Sequence, residues 1–336
     1  MFFAHLIANI PGVVGYFPHD ALVVVGLNIE EDGAHVGPVA VADAEHVTPE
    51  MVGEVIDMQV SELDYVVAVA VGGDAIVSKM VDVVAEANSP DRVEIVALAA
   101  LPEIVTGEPY EVVYAQPEFG FESAGNVAMV ATSQSMLDRV SHGETVALTR
   151  EEGVEEVISP TVPDPDGLDV AAVAASAHDT VDAFENGDAD NPERLDSLER
   201  TITRWLASAE GRSVEDLESD TAVLNAGAFL MGASRIRDMA LRDIIAYPDA
   251  ATVALQALAR HSDTEVRSNA LACAAIAEIA RANRGKMDVL LMAARTVNGE
   301  HGLTDLLSRA AATRHDMDFM IEAALLGAAE SWASVR

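Results

Sequence analysis

The chain holds one cysteine, Cys273, among 336 residues. No internal disulfide can form, and a zinc site built from several cysteines is excluded. Cys273 lies in "NALACAAIAEIA", an alanine-rich helical run, where a thiol behaves as a small buried hydrophobe. Cations are also scarce. Twenty Lys and Arg face 56 Asp and Glu, giving a net charge of −36, and only Lys79 and Lys286 are lysines. So acidic a surface repels phosphate backbones and anionic bilayers, so neither nucleic acid nor membrane is an expected partner. The charge serves solubility first; beyond that it points to a basic protein partner, mimicry of DNA toward a DNA-binding protein, or a salty habitat. No run of about 18 strongly apolar residues occurs, because Asp, Glu, Gly and Pro interrupt the Ala/Val runs. "MFFAHLIANIPG" has no basic leader region and no small-residue cleavage site, so it is expected to be a first core element in a cytoplasmic protein.

Half of the residues are hydrophobic and 23% are charged, which predicts a folded core, and the length suits about two domains. Residues 1–159 read as an α/β domain. "ALVVVGLNI" (21–29) is an apolar run of strand length, and "EEDG" turns it into "AHVGPVAVAD" (34–43) as a hairpin. A helix is predicted over 48–63, with Thr48 as N-cap, Pro49 in the first position, and Met51, Val55 and Met58 on one face. "YVVAVAVGG" (65–73) is a second buried strand, followed by a helix over 74–88 capped by Asp74. A third strand is "RVEIVALAAL" (92–101), and "YEVVYAQ" (110–116) reads as an edge strand. Apolar strands alternating with helices predict a mainly parallel sheet with helices on both faces.

Residues 160–192 change character: a Pro/Asp linker "SPTVPDPDG", one helix, and the acidic turn "ENGDADNPE" (185–193). Residues 193–336 read as an all-α domain. Met287, Leu290, Leu291 and Ala294 are spaced i, i+3, i+4, i+7, as are Leu303, Leu306, Leu307 and Ala310. Cys273, Ile276, Ala277 and Ala280 form a weaker set, as do Met320, Ala323, Ala324 and Gly327. Each set puts an apolar stripe on one helix face, and the spacing between stripes predicts a tetratricopeptide-like array of helical hairpins.

Signals for chemistry are few. Nine histidines are scattered with no H-x-x-x-H or H-E-x-x-H, and no G-x-S-x-G occurs, so no catalytic residue, metal site or cofactor is assigned. In "GYFPHDA", turn geometry before a buried strand accounts for Gly15, Pro18 and Asp20. The functional alternative has His19 and Asp20 contact a ligand at the sheet edge. Gly72 and Gly73 join a strand to a helix start, an arrangement that can bind anions, but the phosphate-loop spacings are absent and Asp74 would repel phosphate. Arg235, Arg237, Arg242 and Asp243 in "SRIRDMALRDII" are expected either to form a salt-bridged helix face that docks the two domains or to hold an anion.

"IPGVVGYFPHDALVVVGL" resembles the opening signature of the actinobacterial and phage family called domain of unknown function 4192. Pro11, Gly15, Tyr16, Pro18, Asp20, Leu22 and Gly26 carry the match. "SHGETVALTREEGVEEVISP" (141–160) and "MALRDIIA" (239–246) resemble two later segments of the family. The chain departs from it at Ala21, where serine is common, at Phe17, and in "YEVVYAQPEFGFESAG", which lacks the family's Trp and Cys. The resemblance implies the fold and the helical tail and assigns no activity. The leading expectation is a non-enzymatic interaction or scaffold protein whose helical domain receives a protein partner, with self-association as a further expectation. The alternative is an enzyme or an anion- or nucleotide-binding protein with a site at the carboxyl ends of the N-terminal strands.

Overall fold

The structure is a computed structural model that describes every residue except 1, 31–32, 60–63, 89–93, 142–143, 188–189, 313–316 and 336. The predicted helix end at 60–63, the strand start at 92–93 and part of the acidic turn therefore lie outside the described residues. The chain divides into two compact units, the first running to Gly153 and the second starting at Val154.

The first unit opens with α1 (Phe2–Val14), then β1 (Ala21–Glu30), β2 (Gly33–Asp43), α2 (Pro49–Gln59), β3 (Tyr65–Val71) and α3 (Asp74–Ala87). It continues through β4 (Ile95–Leu101), β5 (Pro109–Ala115), β6 (Ala124–Asn126) and α4 (Gln134–Ser141). The strands form one sheet in the order β2-β1-β3-β4-β5-β6. Among the strands of the described residues, β3 and β4 pair in parallel and the other four pairings are antiparallel. The mainly parallel sheet expected from sequence is thus corrected to a mixed one. An unbroken apolar strand reports that both its faces are covered, whatever its direction.

The double coverage itself is present. Val23, Val25, Val67, Val69, Val71, Ala97, Ala99 and Leu101 face Phe3, Leu6, Ile7 and Ile10 of α1. On the other side Leu22, Val24, Ala68, Ala70 and Leu98 face Val52 and Ile56 of α2 and Met80, Val83 and Val84 of α3. Each Val, Leu, Ile, Phe or Met side chain among these, fully buried, contributes about 1.5–3 kcal/mol. β2 bulges opposite Gly26, between the pairs Val25↔Val39 and Leu27↔Val36. Pro38, which has no N–H for a ladder, falls in this bulge on an edge strand.

Local details correct the sequence reading in three places. Thr48 does cap α2, accepting from the Met51 amide at 3.3 Å, but the buried face is Val52 and Ile56, and Met51 is exposed. Gly73, not Asp74, is the N-cap of α3. β5 is not the edge, because the three-residue β6 lies outside it.

The second unit is helical: most of α5 (Arg150–Ile158), which spans the division, then α6 (Val170–Glu185), α7 (Asn191–Ala209), α8 (Val214–Glu218), α9 (Thr221–Met231) and α10 (Ser234–Ala246). After these come α11 (Pro248–Arg260), α12 (Thr264–Ala280), α13 (Arg284–Val297), α14 (Gly302–Ala312) and α15 (Met317–Ala333). α12 is buried from Ser268 to Ile279 without a break. It is enclosed by α9, α10, α11, α13 and α15, and its alanines let these neighbours approach closely. In a hairpin array each repeat meets only adjacent repeats. Here α10 packs on α15, far along the chain, and the Trp332 indole of α15 donates to the Met239 carbonyl at 2.9 Å. The stripe on α13 is buried as expected. In α14 Leu306 is exposed, and the α15 face that packs inward is Met320, Ala328 and Trp332.

Candidate functional site

The structure brings two of the sequence candidates together. Asp20 precedes β1 and Gly72 follows β3, and the register Ala21↔Val71 sets them side by side at the carboxyl ends of β3 and β4. A β-carbon on Gly72 would lie 2.9 Å from the Asp20 carboxylate. Asp20 has φ 44°, a left-handed conformation that Asp tolerates better than most residues, and its carbonyl accepts from the Ala44 amide at 2.7 Å. Gly73 and His19 are exposed beside them. An anion at the α3 terminus would meet the carboxylates of Asp20 and Asp74. The nearby Lys79 ammonium donates to the carbonyls of Ala44 and Glu45. Helix α1 runs through Pro11 to Val14, and the turn expected in "GYFPHDA" begins at Gly15, which has φ 90°.

The arginine segment is spent inside the helical unit. Arg235 pairs with Glu185 at 3.1 Å, and Arg242 with its neighbour Asp243 at 3.1 Å. Arg237 is buried and donates to Asp238 and, at 2.6 Å, to Asn269 Oδ1. Asn269 donates to the Met231 carbonyl and accepts at 3.0 Å from His301 Nε2, whose Nδ1 faces the Thr304 hydroxyl at 2.7 Å. Burial, then the Arg237 charge, lowers the His301 pKa, so the imidazole is neutral and acts as a bridge.

A second buried network surrounds Glu218, whose side chain has no exposed surface. Its carboxylate accepts from the Thr161 amide at 2.9 Å, from the Thr161 hydroxyl, and from Arg260 at 3.2 Å. Burial alone would raise its pKa; Thr161 and Arg260 outweigh that and hold it below the ordinary carboxylate value. The adjacent His261 bonds through Nδ1 to Asp164 at 2.7 Å. The segment around 161–164 is thereby fastened to α8 and α11. These groups fix the fold of the unit.

The cavity that stands out lies at the other end of the sheet, by the amino ends of β3 and β4. Its volume is about 330 Å³, and it is lined by Phe2, Phe3, Tyr65, Tyr110, Phe119, Phe121 and Glu122, with Leu27, Val96 and Gly120. Six of its liners are aromatic, in a chain with only eight Phe, five Tyr and two Trp. Phe3 and Tyr110 are buried and form the floor, and Phe2, Tyr65, Phe119 and Phe121 are half-buried at the mouth. The rings form a chain. Tyr65 meets Phe119 edge-on at 4.7 Å, Phe119 stacks on Phe121 at 5.8 Å, and Phe121 lies 5.3 Å from Phe3. Gly120, at φ 60°, closes the short helical turn Pro117–Phe119 and lets the two flanking rings lie nearly parallel. Burial, then the Glu122 charge, raises the Tyr110 pKa, so its phenol is neutral. The lining has no Lys, Arg, His, Ser, Thr or Cys among the described residues.

Sequence reasoning missed this site. The one available signal was "EFGF", two phenylalanines either side of a glycine in an aromatic-poor chain. Among the described residues no group of three or more metal-binding side chains gathers, and no helix is long and apolar enough to cross a membrane.

Fold and cavity define a two-unit protein: a mixed sheet sandwiched by helices, with an aromatic cavity at one end, and a helical unit built around a buried central helix. The family model described as Domain of unknown function (DUF4192) matches residues 4–315, and the chain belongs to that family. No curated protein and no solved structure matches it.

Proposed function

We infer that the protein binds a small, largely apolar molecule in the aromatic cavity of its sheet unit. The observation that carries this reading is the gathering of six aromatic rings around open space. Rings that served only as core would close on one another, whereas about 330 Å³ remains between these, within the usual range of ligand pockets. The site lies at the amino ends of the parallel pair, opposite to where a nucleotide would sit in a doubly wound sheet. Its lining supports binding by shape and ring contact.

The test is titration of the whole chain with the apolar fluorophore N-phenyl-1-naphthylamine. A saturable rise in emission is expected, with Phe119→Ala and Phe121→Ala losing it while melting near the parent temperature. Uptake unchanged in both variants would refute the assignment of the site. The interaction reading keeps one support. Leu306 of α14 and Phe319 and Leu326 of α15 are exposed apolar side chains of the helical unit. Light scattering of the parent against Leu326→Glu tests self-association through them.

A further inference from the structure

We propose that two copies of the chain pair antiparallel along β2, about a twofold axis at Val41, and so join their sheets into one. Among the described residues β2 pairs with β1 on one side and with no strand on the other. Backbone groups alternate sides along such a strand. The Ala44 amide donates to the Asp20 carbonyl, so the groups of Ala42 and Ala40 also face β1, and those of Asp43, Val41 and Val39 face outward. An outward row of N–H and C=O groups is chemically a template for another strand. The usable run is short and bounded at both ends. The bulge with Pro38 ends it before Val39, and the Asp43 carbonyl already accepts from the His46 and Val47 amides at 3.0 Å. Val41 is its centre.

Symmetry selects a second copy as the occupant. With the axis at Val41, each Val41 exchanges both backbone bonds with its mate, and each Asp43 amide meets the opposite Val39 carbonyl. Ala42 then lies opposite Ala40, small beside small, and Asp43 lies opposite Val39, so no carboxylate directly faces another. From Gly33 to Ala42 the strand holds none of the chain's 56 acidic or 20 basic residues, the charges that commonly blunt an edge. Val39 and Val41 on the α1 side, and Ala40 and Ala42 on the α2/α3 side, are only half-buried, and a mate's side chains complete their cover on both faces.

Sedimentation equilibrium of the full chain reads the dimer. Each copy carries −36, so repulsion opposes pairing, and about 0.5 M salt is expected to tighten the dimer several-fold. Val41→Pro removes an outward N–H from each copy, leaves the ladder to β1 intact, and is expected to weaken the dimer about tenfold or more. Because that variant also trims packing against α1, a second measurement keeps the valine. Asp43→Cys, labelled with a nitroxide, places an exposed probe beside the seam, since the native Cys273 is buried. It gives up a surface ion pair with Arg150, which contributes little. In the paired dimer the two labelled Cα atoms lie about 15 Å apart, near enough for dipolar broadening that dilution with unlabelled chain removes. Broadening that appears with the dimer in high salt is the expected result. A chain that stays monomeric in high salt up to its solubility limit overturns the proposal. So does a dimer without broadening, or one that Leu326→Glu abolishes and Val41→Pro leaves intact.

Discussion

The Tyr110 ring lies over Gly125, its partner across the β5–β6 ladder: a β-carbon on Gly125 would fall 2.6 Å from the Tyr110 hydroxyl oxygen. The small edge strand thus supports the floor of the aromatic cavity. Gly125→Ala is expected to push the ring inward, to cost about 1–3 kcal/mol as overpacking does, and to shrink fluorophore uptake. Thermal melting and the titration check both. A variant that melts and binds like the parent would show that β6 does not set the floor.

Val24 and Asp20 separate structure from function in the opening motif. Val24→Asp would place a charge between the sheet and α2/α3, at a cost of several kcal/mol, a large part of a typical stability of about 5–15 kcal/mol. Asp20→Ala meets the left-handed backbone and is expected to cost about 1 kcal/mol, whereas Asp20→Asn is expected to cost less. Urea midpoints for the three variants give the order; an Asp20→Ala loss as large as that of Val24→Asp would contradict it.

Glu218 makes the helical unit sensitive to acid. Its folded pKa lies below the ordinary value of 4.5, so its charge stabilises the fold above that pH. That contribution is lost as pH falls through the lowered folded value. Glu218→Gln is expected to destabilise by about 3 kcal/mol at pH 7, because the buried Arg260 keeps only the exposed Glu215 carboxylate at 3.8 Å, and to flatten the loss of stability below pH 4.5. It should also free Thr161, so that limited proteolysis cuts within 160–167 sooner than in the parent. Parallel acid profiles of the two proteins would argue against the role.

Cys273 reports the opening of the same unit. The thiol is wholly buried and its pKa is pushed up to about 12, mainly by burial, so it has neither access nor thiolate character. Reaction with a thiol reagent such as 5,5′-dithiobis(2-nitrobenzoate) at pH 8 is expected only at the rate of unfolding. Stoichiometric labelling within minutes in native buffer would contradict the burial of α12.

The elements of the sheet unit were legible because burial on two faces writes long apolar runs, and Val23–Val25, Val67–Val71 and Ala97–Leu101 lie where those runs fall. Strand direction was not legible, since the same run suits either sense. Helix faces were harder. Met51 and Val52 are neighbours of similar hydrophobicity, and only packing chose Val52. On α15 most positions are apolar and lie on every side of the helix, so spacing alone could not select Trp332 over Leu326. The buried acid Glu218 left no trace among 56 carboxylates. The cavity was hidden for another reason: its rings come from four separate stretches, at residues 2–3, 65, 110 and 119–121, and no local motif joins them.

The central helix α12 has a mechanical consequence. Alanine gives up no rotamer freedom on burial, so the six alanines among the 17 residues of this enclosed helix take their places at no cost in side-chain entropy. It also has few rotamers with which to absorb a displacement. A push on α11 or α13 therefore cannot be taken up locally at α12 and must pass through it as a shift of the whole rod. The helical unit is in this sense stiff across its middle, and whatever yields in it yields at its perimeter.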